Sequence, residues 1–111
     1  MKTVSLKEGM PLVHQALAQL DREIAVARQQ GHSVIKFVHG YGSNGVGGEI
    51  RIAVQNRLRE MNARGEIRAY IFGENWSKSD QQTWALVQKH TELKQDRDLE
   101  RKNLGVTIVV F

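Results

Sequence analysis

The stretch from His39 to Arg51 has the residue types and spacing of a loop that binds an anion. It reads HGYGSNGVGGEIR, in which five of the thirteen residues are glycine. Glycine takes positive φ readily, and a helix that starts after such a loop adds unpaired N–H groups and a partial positive charge. The sequence therefore predicts a cradle for phosphate oxygens. Its members are Gly40, Gly42, Ser43, Gly45, Gly47 and Gly48.

Polar side chains stand at both ends of this loop. His39 ends the preceding apolar run, where it could donate to a phosphate, move a proton as a catalytic residue, or simply pack. Arg51, in the first turn of the following helix, offers a bidentate guanidinium. Gln55 and Arg59 follow at intervals of four, so the pattern predicts that they extend the binding edge along that helix.

The elements around the loop alternate between strand and helix. Strands are predicted at 2–6, 34–38, 67–72 and 106–111, from β-rich apolar runs. Helices are predicted from Pro11 to a cap at Gly31, from Glu49 to Ala63, and from about Ser77 or Ser79 to Lys94. This order indicates one α/β domain over residues 1–111. We expect a two-layer sandwich with a four-stranded, mostly parallel or mixed sheet, helices mainly on one face, and a last strand of either direction.

Side chains outside the loop allow further expectations. Trp84, at helical spacing, is predicted to pack inward, whereas Trp76 is predicted to be exposed. Lys36 and Arg68 could add charge to the rim of the phosphate site. His14 and His90 have no partner at metal-binding spacing and the chain has no cysteine, so no metal site of the His/Cys kind is expected.

Composition favours a polyanionic partner. The chain has 16 Lys and Arg against 12 Asp and Glu, a net charge of +4. The hydrophobic fraction of 41% is that of an ordinary globular protein. The sequence shows neither a signal peptide nor a run of about 20 apolar residues, so we expect a cytoplasmic protein that does not engage a membrane.

The order of these residues resembles a known signature. His39-Gly40-Tyr41-Gly42-Ser43, followed by Gly45, Gly47 and Ile50-Arg51, resembles the HGxGxG…LR signature of the Smr (small MutS-related) domain. The closing Gly105-Val106-Thr107-Ile108-Val109 is similar to the last strand of such domains. The resemblance implies a fold similar to the C-terminal domain of bacterial translation initiation factor three, binding of DNA or RNA, and nicking endonuclease activity in some members.

The chain departs from that signature at its first strand. The family's LDLHG motif, whose acid and histidine are candidates for catalysis, is replaced here by residues 4–9, VSLKEG. Only Glu8, Glu49, His39 and His14 remain as candidates to activate a nucleophile. Enzyme activity is therefore left open. A nuclease would admit Mg²⁺, and otherwise no cofactor is expected.

Two other classes of function compete with nucleic-acid binding. Residues 40–45 also satisfy GxGxxG between a strand and a helix, with Glu74 after the next strand, as in a small nucleotide-binding enzyme. A protein-interaction module using Trp76, Trp84 and Tyr70 is the third. The interpretation we favour is an Smr-like domain, of undetermined oligomeric state, that grips the phosphates of DNA or RNA.

Overall fold

The computed structural model of this chain describes residues 1–42 and 46–111. In that part of the chain, four strands alternate with three α-helices in the order that the sequence predicts. The strands are β1 (Lys2–Ser5), β2 (Val34–Val38), β3 (Ala69–Phe72) and β4 (Val106–Val110). The helices are α1 (Val13–Gln29), α2 (Val46–Ala63) and α3 (Gln81–Lys89), and short 3-10 helices span Gly73–Asn75 and Thr91–Gln95.

The strands form one mixed sheet in the order β1-β2-β4-β3. β1 and β2 are parallel, and β4 is antiparallel to both of its neighbours, β2 and β3. The expectation of a mixed sheet is confirmed, and the last strand runs against the other three. As a result, β1, β2 and β3 all finish at the end of the sheet where β4 begins. We call this the loop end of the sheet.

Two apolar clusters lie on opposite faces of the sheet. Neighbouring residues of a strand point to opposite faces, so Ile35 and Phe37 of β2 belong to one cluster and Val34 to the other. The buried stripes of α1 and α2 cover the first face, and Leu86 and Val87 of α3 help to cover the second. Two of the three described α-helices therefore share one face. Among the described residues, no helix is long and apolar enough to cross a membrane.

The ends of α1 follow local rules. The amide of Leu12, the residue before the helix, donates to Oε1 of Gln15 at 2.9 Å, so the helix begins after Leu12 rather than at Pro11. At the other end, Gly31 has a φ of 76° and the amide of His32 donates to the carbonyl of Ala27 at 3.0 Å. This is the left-handed glycine cap that the sequence predicts.

The two tryptophans occupy the reverse of their predicted environments. Trp84 is 51% exposed, whereas Trp76 is 0% exposed and donates from Nε1 to Oδ2 of Asp96 at 2.9 Å. The prediction for Trp84 was wrong because the buried face of α3 is formed by Thr83, Leu86 and Val87, which leaves Trp84 on the outside. Asp80, rather than a serine, caps the helix by accepting from the amide of Thr83 at 2.9 Å. The helix ends at Lys89, before the 3-10 helix that carries buried Leu93.

Candidate nucleic-acid interface

The first residues of the glycine loop are bonded to the start of β4. The carbonyl of Gly105 accepts from the amides of His39 at 2.9 Å and Gly40 at 3.1 Å. The amide of Gly105 in turn donates to Oδ1 of Asn103 at 2.8 Å. Gly40 and Gly42 have φ values of 76° and 89°. These values lie in the left-handed region, which glycine adopts readily and which the sequence predicts for this loop. The loop therefore leaves β2 along a defined path.

His39 is buried beneath this loop, with 0% of its side chain exposed. Nδ1 lies 2.7 Å from the carbonyl oxygen of Gly40, and Nε2 lies 2.9 Å from Oγ1 of Thr107. Because a carbonyl only accepts, Nδ1 carries the hydrogen and the Thr107 hydroxyl donates to Nε2. Burial lowers the pKa of His39, the Gly40 hydrogen bond opposes that shift, and the charge of Arg51 adds to it. The imidazole is therefore neutral and internally bonded at physiological pH.

Arg51 forms an ion pair with Glu74 at the loop end. Nη2 of Arg51 donates to Oε2 of Glu74 at 2.7 Å, and the two side chains are 24% and 33% exposed. Glu74 follows β3 and Arg51 lies in α2, so the pair joins the two elements where they approach His39. Within the described part of the chain, Nε of Arg51 and Oε1 of Glu74 are buried without a hydrogen-bond partner. The cation predicted for a phosphate thus binds a carboxylate in this structure.

The other predicted members of the cradle differ in position. Gly47 and Gly48 belong to α2, which begins at Val46 rather than at the predicted Glu49. A Cβ on Gly48 would lie 3.8 Å from the carbonyl oxygen of Tyr41, so the loop backbone approaches the first turn of the helix. Ser43 and Gly45 lie outside the described residues.

The polar edge predicted along α2 is present only in part. Gln55 is 8% exposed, so its side chain is buried instead of extending the binding edge. Arg59 is exposed, and its guanidinium carbon lies 5.1 Å above the ring of Phe72, which holds a cation beside the end of β3.

Neither Lys36 nor Arg68 adds charge to the rim of this site. Lys36 is 3% exposed, and its Nζ donates to Asp96 at 2.8 Å and to Asp98 at 2.6 Å. Burial by itself would lower the pKa of Lys36, but the hydrogen bonds and charges of the two aspartates outweigh it and raise the pKa. Arg68 precedes β3, at the opposite end of the sheet.

Three residues at the loop end were missed as site members from the sequence. Lys7 follows β1, and its Cδ lies 3.8 Å from where a Cβ on Gly40 would be. Glu74 was considered only as the acidic residue of a nucleotide-binding pattern, and Tyr41, 57% exposed, was not singled out. Lys7 and Glu74 follow β1 and β3, which run in the same direction as β2, and the carboxyl ends of such strands lie at the same edge of a sheet. Their positions after these strands are the sequence feature that could have identified them.

Among the described residues, the other candidates to activate a nucleophile are not hydrogen-bonded to His39. Glu8 is exposed and accepts from Oγ of Ser5 at 3.3 Å, and His14 is exposed on α1. None of the hydrogen bonds among residues 1–42 and 46–111 joins Glu8, Glu49 or His14 to His39. In the same residues, no three His, Cys, Asp or Glu side chains are grouped so that they could hold a metal ion.

The mixed sheet and the glycine loop between β2 and α2 define an α/β domain with the Smr-like fold. A solved structure with this fold is the Smr domain of MutS2 from Thermus thermophilus, which this chain matches with a TM-score of 0.61 at 22% sequence identity. The match covers 99% of this chain and 96% of that chain. No protein-family model and no curated protein matches the sequence. The Smr-like fold predicted from the sequence is thereby confirmed.

Proposed function

We propose that this domain binds the phosphate backbone of DNA or RNA at the loop end of its sheet. The observation that carries the proposal is the approach of the loop backbone to the first turn of α2, the helix that carries Arg51. A Cβ on Gly48 would lie 3.8 Å from the carbonyl oxygen of Tyr41 and 4.0 Å from Cα of Gly42, and Gly40 and Gly42 both have positive φ. Backbone amides at a helix N-terminus and a guanidinium are groups that bind phosphate oxygens in proteins. The net charge of +4 and the Smr resemblance favour the same partner.

The ion pair at the site supports an oxyanion as the ligand. Oε2 of Glu74 lies 2.7 Å from Nη2 of Arg51, which is the geometry that a phosphate oxygen would take. Glu74 thus acts as an internal substitute for the ligand. A bound phosphate would exchange with this carboxylate, and Arg59 and Lys7 would add charge on either side.

We assign His39 a positioning role in this site. Its two ring nitrogens hold the carbonyl of Gly40 and the hydroxyl of Thr107, so the side chain fixes the loop instead of reaching a ligand. Binding is therefore better supported than nicking. Incubation of supercoiled plasmid and RNA with and without Mg²⁺ tests the alternative, and cleavage lost in His39→Gln would favour it.

The binding proposal is tested by titrating labelled DNA and RNA, single- and double-stranded, against the wild type and Arg51→Ala at two salt concentrations. Loss of one phosphate contact should weaken binding roughly tenfold and reduce the salt slope by about 1. Arg64→Ala is the matched control, since Arg64 lies beyond the far end of α2, where it binds Glu66 at 2.8 Å. It should bind like the wild type.

Two results would count against the proposal. Affinity that does not change with salt would mean that phosphates contribute little to binding. Equal affinities of Arg51→Ala, Arg64→Ala and the wild type would show that the loop end is not part of the nucleic-acid interface.

A further inference from the structure

Tyr41 presents an aromatic ring to solvent in the middle of the phosphate-binding loop. Its side chain is 57% exposed, and it lies between Gly40 and Gly42, whose φ values of 76° and 89° set the direction of the chain on either side. A ring in this position is therefore available to a ligand.

The ring is supported from behind by the backbone that precedes β4. A Cβ on Gly105 would lie 3.3 Å from Cδ1 of Tyr41 and 3.2 Å from Cα of Gly40, so the absence of a side chain at Gly105 makes room for the ring. Gly105 is itself held by hydrogen bonds to His39, Gly40 and Asn103. The aromatic side chain rests on a rigid surface and loses little conformational freedom when it binds.

The ring and the anion cradle are neighbours. The carbonyl oxygen of Tyr41 lies 3.8 Å from where a Cβ on Gly48 would be, which places the residue against the first turn of α2. In a polynucleotide, each phosphate links two nucleotides, and each of these carries a base. A phosphate held at the start of α2 would therefore bring an adjacent base to the face of Tyr41.

We propose that Tyr41 stacks on an unpaired nucleobase, so that the site prefers single-stranded nucleic acid, DNA or RNA. Bases in a duplex are already stacked on one another and paired, and their faces are closed to a protein side chain. In a single strand every base has a free face, and stacking on an aromatic ring depends little on which base is present. This inference rests on the proposed phosphate site and adds the class of nucleic acid that it takes.

The test uses labelled twelve-nucleotide strands of thymidine or uridine nucleotides, the same strands with abasic residues at every position, and duplexes of equal length. The backbone charge of an intact strand and its abasic version is the same, so the difference in affinity reports the bases. Stacking on one aromatic side chain is worth roughly 5- to 150-fold in affinity. We expect the intact strand to bind at least fivefold more tightly than the abasic strand and the duplex.

Four variants separate the ring from other contributions. Tyr41→Phe keeps the stacking face and should retain the preference, whereas Tyr41→Leu and Tyr41→Ala should lose it. Trp84→Ala is the matched control, because Trp84 is an aromatic residue of similar exposure, 51%, on α3. It should behave like the wild type, and thermal melts should show that all four variants are folded.

The outcomes distinguish this inference from the proposed function. If abasic strands bind as tightly as intact ones with a salt-dependent affinity that Arg51→Ala weakens, the phosphate site stands and the stacking role of Tyr41 is overturned. A preference for intact strands that survives in Tyr41→Leu also overturns it. If no strand binds, the proposed function and this inference fail together.

Discussion

The ion pair between Arg51 and Glu74 leads to a specific prediction about Glu74→Gln. The substitution keeps the size of the side chain and an oxygen that can accept from Nη2 of Arg51, but it removes the negative charge 2.7 Å from the guanidinium. If the carboxylate competes with phosphate for Arg51, the variant should bind nucleic acid more tightly than the wild type. The direction of this effect is unusual, because most substitutions in a binding site weaken binding.

Two contributions set the magnitude. Two unit negative charges about 5 Å apart repel by ~0.8 kcal/mol in water and by ~3 kcal/mol at an effective dielectric constant of 20. Both side chains are partly exposed, at 24% and 33%, so the lower part of that range applies. Breaking the pair itself costs about 0–1 kcal/mol at such exposure. The sum, about 1–2 kcal/mol, corresponds to a gain of roughly 5- to 30-fold in affinity.

The assay is a fluorescence anisotropy titration at several salt concentrations, with Glu60→Gln as the control. Glu60 lies in the last turn of α2, and its side chain is 62% exposed. The control raises the net charge by the same unit but away from the loop end. The gain from Glu74→Gln should exceed that of the control at low salt and should shrink as salt screens the repulsion.

An equal gain in the two variants would show that only the net charge matters. Weaker binding by Glu74→Gln would refute the competition and would mean that Glu74 holds Arg51 in the orientation that phosphate requires.

Three further predictions concern stability. Gly73→Ala should lower the free energy of unfolding by about 3 kcal/mol or more, because a Cβ there would lie 1.8 Å from the carbonyl oxygen of Asn103. Denaturant titration measures this change, and a variant as stable as the wild type would contradict the close approach. Lys36→Met should cost about 3–5 kcal/mol by leaving buried aspartates such as Asp98 without their cation, and it should cost less at a pH low enough to protonate them. Burial lowers the pKa of His39, so the unfolded chain takes up a proton near pH 6.5 that the folded chain does not. The contribution of neutral His39 to the free energy of unfolding is therefore intact above pH 6.5 and is lost as pH falls through the folded-state pKa. The slope of unfolding free energy against pH below 6.5 should be smaller in His39→Gln, and an unchanged slope would contradict the shift.

The parts of the fold that depend on local pattern could be predicted. The apolar runs gave β2 and β4 within a residue, and Gly31 gave the end of α1, because each signal involves neighbours in the chain. The environment of Trp84 could not be predicted in this way. The buried face of α3 includes the polar residue Thr83, whose hydroxyl donates to the carbonyl of Asn75, so apolar spacing alone did not identify the side of the helix that packs inward.

Long-range pairs limited the prediction of the site in the same way. Lys36 was taken for surface charge because its partners, Asp96 and Asp98, lie sixty or more residues further along the chain. The loop and its arginine were recognisable because they are contiguous. The pairing of Arg51 with Glu74 depends on how α2 packs beside β3, which the order of residues does not specify.

The position of β4 has a consequence for how the domain is made. β4 follows the other three strands in the sequence, yet it lies between β2 and β3 in the sheet and is hydrogen-bonded to both. During synthesis, β3 therefore has no neighbour in the sheet until β4 has left the ribosome. Gly105 and Thr107, which hold the loop and His39, also arrive only then. A nascent chain can therefore pair β1 with β2 before β4 is made, whereas β3 joins the sheet and the start of the glycine loop bonds to Gly105 only afterwards.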